Sequence, residues 1–148
     1  MRILAFDPGR RTGWALSTGR CGTIDVRQDM AIDEAGALWT IHGAAMDLLK
    51  LHQPSLVVIE RPMGRMAATE WPQAVTRVLH MAAWAHDTRR AEIGCAKWRK
   101  VVIGRATKVT DHEVAAAVRS GGFNPANEHE GDAAALIVAW RKINRSAA

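Results

Sequence analysis

The order of elements along the chain predicts an α/β fold, a mixed sheet of five strands flanked by helices. Three observations carry that expectation. Three short apolar runs joined by turn residues open the sequence, two more runs stand further on at 56–59 and 91–95, and segments with helical spacing separate and follow those two.

Residues 3–6 are a continuous apolar run that stops at Asp7-Pro8-Gly9, as a buried strand followed by a turn would. Residues 12–17, with Gly13 and Trp14, read as a second strand and 22–26 as a third, Thr18-Gly19-Arg20 forming the hairpin connection. The opening is therefore antiparallel. Asp33 is placed to cap a helix in which Ala37, Leu38, Ile41, Ala45, Leu48 and Leu49 recur at helical spacing until Gln53-Pro54. The run 56–59 is β-branched and free of charge, which suits a central strand covered on both faces, and it ends at Glu60-Arg61-Pro62. Ala74, Val75, Val78, Leu79, Ala82 and Ala85 mark a helix between Pro72 and Asp87, and 91–95 read as the last strand. Thr110 and Glu113 have the spacing of a capping box at the head of a helix that runs to Ser120-Gly121-Gly122. After the turn Asn124-Pro125-Ala126-Asn127 a final helix carries Ala133, Leu136, Ile137 and Trp140.

With 148 residues, 48% of them hydrophobic, and no repeat, linker or low-complexity stretch, residues 1–148 are expected to form one domain. Twenty Lys and Arg against fifteen Asp and Glu leave a formal charge of +5, a balance suited to a polyanionic partner. Cys21 and Cys95 are too few and too far apart for a disulfide framework or a zinc knuckle, so a reducing cytoplasm is the simpler setting. The first residues reach Asp7 too soon for a signal peptide, and no apolar run approaches membrane-spanning length, so no membrane association is expected.

Asp7 and Glu60 each stand where an apolar strand ends, and in α/β sheets ligand sites gather at the carboxyl ends of strands. A third acidic group, Glu128-His129-Glu130-Gly131-Asp132, opens the last helix, where Asp132 shares a face with Glu128 and His129. Singly these are ordinary turn, strand-end and helix-start residues. Together they have the character of a site for hard cations, since two divalent ions about 4 Å apart both activate a water and stabilise the leaving oxygen in phosphodiester cleavage. Crowded carboxylates repel one another unless a metal or raised pKa values accompany them.

These segments resemble the RuvC Holliday junction resolvases nearly end to end: 3–9, Thr12-Gly13-Trp14-Ala15, 57–62, and His129-Glu130-Gly131-Asp132 with the alanines and Leu136 that follow. The resemblance implies a ribonuclease H-like fold, a homodimer, and incision of two opposed strands of a four-way DNA junction with two Mg²⁺ ions, or Mn²⁺, per site. Asp7 and Glu60 match the first two acids of that family and Asp132 its last; His129 falls where many members carry Asp. Imidazole is a poorer ligand for Mg²⁺ than for Mn²⁺ and handles protons near neutral pH, which leaves Glu128 as the alternative fourth ligand. A compact protein of this kind suits a bacterial or a phage-infected cell. Flaps, forks and RNA–DNA hybrids are alternative substrates, and a catalytically silent protein that binds branched DNA is the non-enzymatic alternative.

The densest cationic stretch, Lys97-Trp98-Arg99-Lys100 followed by Gly104-Arg105-Ala106-Thr107-Lys108, reads as a loop contacting DNA, with Gly104 letting backbone amides approach a phosphate. The family resemblance assigns Lys108 to the scissile phosphate and leaves its earlier basic partner open among Lys97, Arg99 and Lys100. Arg10, Arg11 and Arg61 follow the acids closely enough to meet phosphate in the same cleft. Met66 and Trp71 lie where the resembled enzymes have a loop that opens the junction, and either is a candidate wedge against unstacked bases. The helix between Pro72 and Asp87 is the candidate dimer interface.

Overall fold

The structure is a computed structural model, described for residues 1–63 and 70–145. Five strands form one sheet, β1 (Ile3–Asp7), β2 (Arg11–Leu16), β3 (Cys21–Asp25), β4 (Leu56–Arg61) and β5 (Arg89–Gly94), in the order β3-β2-β1-β4-β5. β1, β2 and β3 pair antiparallel, whereas β4 is parallel to both β1 and β5. The mixed sheet expected from the sequence is therefore present, with each strand within two residues of its predicted bounds. Ser17, expected to end the second strand, instead closes the hairpin: its hydroxyl oxygen and its amide bond the Ile3 backbone, each at 2.9 Å.

Side chains of a strand alternate between faces, and the two faces are covered by different helices. On one face Leu4, Phe6, Leu16, Val57 and Ile59 pack against α2 (Glu34–His52) and α3 (Glu70–Ala85) through Ile41, Leu49, Val75 and Leu79. On the other, Ile3, Ala5, Ala15, Leu56 and Val58 meet α4 (Cys95–Ile103), α5 (Asp111–Ser120) and α6 (Glu128–Arg145). The local signals account for the helix boundaries. The Asp33 carboxylate accepts from the amides of Ala35 and Gly36, and Thr110 and Glu113 close a capping box at α5.

Two helices were not anticipated. One is the single turn α1 (Arg27–Met30). The other, α4, corrects the reading of 97–108 as a DNA-contacting loop: its first half is helical and ends at Gly104, in the left-handed region at φ 96°. Four of the nine residues of α4 are Lys, Arg or Trp in unbroken succession, which hid a narrow buried stripe from a search for apolar periodicity. Among the described residues no helix is long and apolar enough to cross a membrane.

Candidate metal centre

The register of the sheet sets the first half of the site. β1 and β4 are paired with Phe6 opposite Ile59, so the next level up carries Asp7 beside Glu60. By alternation Asp7 points with Ile3 and Ala5, and Glu60 with Leu56 and Val58, which places both carboxylates on the face covered by α4, α5 and α6. The third acid comes from α6. Oxygens of Asp7, Glu60 and Asp132 all lie within 4.8 Å of one another.

The first turn of α6 comes unusually close to β2. A Cβ on Gly13 would lie 2.0 Å from the carbonyl oxygen of His129, so no residue with a side chain fits there without moving the helix. Glu130, only 7% exposed, clamps the same turn. Its carboxylate accepts from the Ala126 amide at 2.8 Å, the Thr23 hydroxyl at 3.1 Å and the Asn127 amide group at 3.2 Å, and its own N–H donates to Asn127 Oδ1. Sequence reading passed over this residue. The spacing Asn127-x-x-Glu130, the same as in a capping box, was the available signal.

The three acids repel and desolvate one another. Burial, and then the neighbouring Asp7, push Glu60 up to about 7. Burial followed by Asp7 and Glu60 pushes Asp132 up to about 7 as well. Asp7 is raised by burial, opposed by its hydrogen bond with His129. Half-buried carboxylates that resist joint ionisation, all offering hard oxygen donors, fit a divalent cation such as Mg²⁺ or Mn²⁺.

His129 stands at the rim of this set. Its Nδ1 is 3.3 Å from Asp7 Oδ2 and its Nε2 3.4 Å from Glu128 Oε1, and the bond to Asp7 raises its pKa above the usual 6.5. Glu128 is half exposed and engages the acids through the imidazole, so both candidates for the fourth ligand reach the centre in series.

One face of α4 completes the surroundings. Cys95, Trp98 and Arg99, spaced i, i+3 and i+4, turn toward the acids together. The Trp98 indole Nε1 donates to Glu60 Oε2 at 2.8 Å, and the nearby Cys95 side chain also favours the charged form of Glu60. Arg99 acts electrostatically on Asp7, Glu60 and Asp132, and its guanidinium lies 5.3 Å from the centre of the Trp98 ring. Lys97 and Lys100 are exposed. Of the three cations left open by the sequence, Arg99 is the one that faces the carboxylates.

The remaining expected residues are more scattered. Lys108 is exposed in the loop before α5, at φ 54°, and among the described residues its ammonium has no hydrogen-bond or ion-pair partner. Arg105 is committed to the Glu113 carboxylate and the Lys108 carbonyl, and Arg11 stands 3.7 Å from Asp25. Arg10 and Arg61 are exposed. Trp71 is half-buried against the α2/α3 core and lines a depression with Arg10, Met30 and Glu34. Met66 lies outside the described residues. A cleft of about 180 Å³, lined by Asp7, Pro8, Glu60, Pro62, Met63 and Pro72, opens onto the first two acids.

No protein-family model matches the sequence, and no curated protein matches it. Solved structures do. The Thermus thermophilus RuvC structure superposes with a TM-score of 0.81 at 17% identity, covering 99% of this chain and 97% of that one. The chain shares the RuvC fold. T. thermophilus RuvC in complex with a Holliday junction substrate gives a TM-score of 0.83 at 16% identity, over 99% of this chain and 96% of that one. The yeast mitochondrial Holliday junction resolvase Ydc2 gives 0.64 at 12% identity, over 95% and 78%. The RuvC-like fold here thus extends over nearly the whole chain, as the sequence led one to expect.

Proposed function

We propose that this protein is a metal-dependent endonuclease that cuts branched DNA, four-way junctions foremost. The observation that carries the proposal is the convergence of Asp7, Glu60 and Asp132 within 4.8 Å, in a fold shared with a RuvC that has been solved on a Holliday junction. Asp7, Glu60 and Asp132 hold the cations. When bound there, two divalent ions supply an activated water and neutralise charge at the scissile phosphate.

The chain's own groups do the rest. Arg99 offers its guanidinium to phosphate oxygens: its Nε is buried without a hydrogen-bond partner among the described residues, and it already sits in the field of all three acids. His129 shares a proton with Asp7 and opposes, without cancelling, the upward push that burial exerts on that carboxylate. Lys108, exposed and without a partner for its ammonium among the described residues, is the second phosphate contact, with Arg10, Arg61, Lys97 and Lys100 supplying salt-dependent affinity. The chain acts as a homodimer, which two symmetric cuts require. On α3, the helix expected to form the interface, Met81 and Trp84 are 61% and 71% exposed.

Incubation of a labelled four-way junction with Mg²⁺ or Mn²⁺ tests the proposal. Symmetric nicks are expected; a shifted but intact junction would instead mark a protein that only binds. Asp7→Asn removes a ligand and little contact area, so it should abolish cleavage while junction affinity stays within a few-fold, about the scatter of a surface substitution. Competition among a junction, a fork, a flap and a hybrid ranks the substrates.

A further inference from the structure

A carboxylate at the end of a strand has two free torsions beyond Cβ, and a metal site needs it held in one orientation. Glu60 is held from α4. Trp98 is fully buried, locked in the core that α4 shares with α6, and its indole nitrogen is a donor only. Its bond to Glu60 Oε2 is therefore fixed in direction by packing, unlike a bond from a mobile surface group.

Resting on the nuclease reading above, we infer that Trp98 is a positioning residue for that site, its N–H orienting the Glu60 carboxylate toward the cation shared with Asp7 and Asp132. The indole binds no metal and touches no DNA. It acts through Glu60, as the outer partners of metal ligands do when they fix a ligand's orientation. The geometry also explains why a tryptophan stands amid three cationic neighbours, Lys97, Arg99 and Lys100, on a helix whose other large side chains are only partly buried.

The test measures Mn²⁺ affinity by calorimetry on the DNA-free protein, comparing wild type, Trp98→Phe, Glu60→Gln and the double variant. Trp98→Phe should weaken Mn²⁺ binding about 10-fold, and on the Glu60→Gln background it should weaken it no further. Equal weakening on both backgrounds, or none on either, would overturn the inference. Benzothienylalanine placed at position 98 keeps the ring's shape and removes only the N–H. It should reproduce the loss seen with Trp98→Phe, and it carries the comparison alone if Trp98→Phe does not fold; wild-type affinity in that variant would assign the effect to packing and sink the proposal. Cleavage by the Trp98 variants should recover at high Mn²⁺ with junction affinity unchanged. A wild-type protein that binds no Mn²⁺ would bring down the nuclease reading and this inference together, whereas wild-type binding and cleavage with indifferent Trp98 variants would remove the positioning role alone.

Discussion

A buried carboxylate that titrates near neutrality changes the stability of the protein in which it sits. Glu60 and Asp132 are displaced upward from 4.5 and 3.8 to about 7, so folding tightens their hold on a proton. Stability from that source is complete below the ordinary values and drains away as pH rises through about 7. His129, raised from 6.5, has the same sign. The metal-free protein should therefore melt at a lower temperature at pH 8 than at pH 5. Added Mg²⁺ should raise the melting temperature more at pH 8, where protons no longer compete for the oxygens. A flat profile measured with and without chelator would contradict this. At Gly13 the prediction is steric. Gly13→Ala forces a methyl against the His129 carbonyl, which should cost about 3 kcal/mol, the upper end for overpacking, and should remove cleavage even in those molecules that remain folded. Asp7, Glu60 and Asp132 were legible in the sequence because each ends or begins an element. Glu130 and Trp98 were not, since a residue that holds a helix turn or another side chain in place leaves no mark of its own until the elements are packed.

Among the helices, α4 combines surface charge with a face turned to the acids. Its sequence reads as a charged surface segment, yet its 95/98/99 stripe faces the acids while Lys97 and Lys100 face solvent. That division makes a sharp expectation. Arg99→Ala should lower the rate of cleavage about 100-fold, as loss of one group stabilising developing charge typically does, with little change in melting temperature. Lys97→Ala and Lys100→Ala should leave the rate nearly untouched and reduce only the salt dependence of junction binding, by close to one unit of slope each. Rate assays at saturating junction and binding titrations across salt concentrations separate the two effects. The strands and the capped helices were recoverable from local chemistry, Asp33 and the Thr110/Glu113 pair in particular. α4 was lost because a stripe three residues wide, flanked by cations, gives no periodic apolar signal.

For the molecule as a whole, the sheet assigns different tasks to its two sides. All three acids and their supporting residues belong to the α4, α5 and α6 side, while the exposed Met81 and Trp84 stand on α3, across the sheet. The alternation of side chains along β1 and β4 enforces this separation, since Leu4, Phe6, Val57 and Ile59 face one way and Asp7 and Glu60 the other. Substituting Met81→Glu and Trp84→Glu together should give a monomer by sedimentation, with the metal centre intact by Mn²⁺ titration. A persistent dimer would place the interface elsewhere.

On the proposed function, such a monomer would be a nickase. Each encounter with a junction would end in a single unpaired incision, and ligase would restore the branch before a second copy arrived. Because the partition lies in the pleat of the strands, the number of cuts per encounter would then be open to redesign from the surface of α3, without disturbing the acidic cluster on the other face.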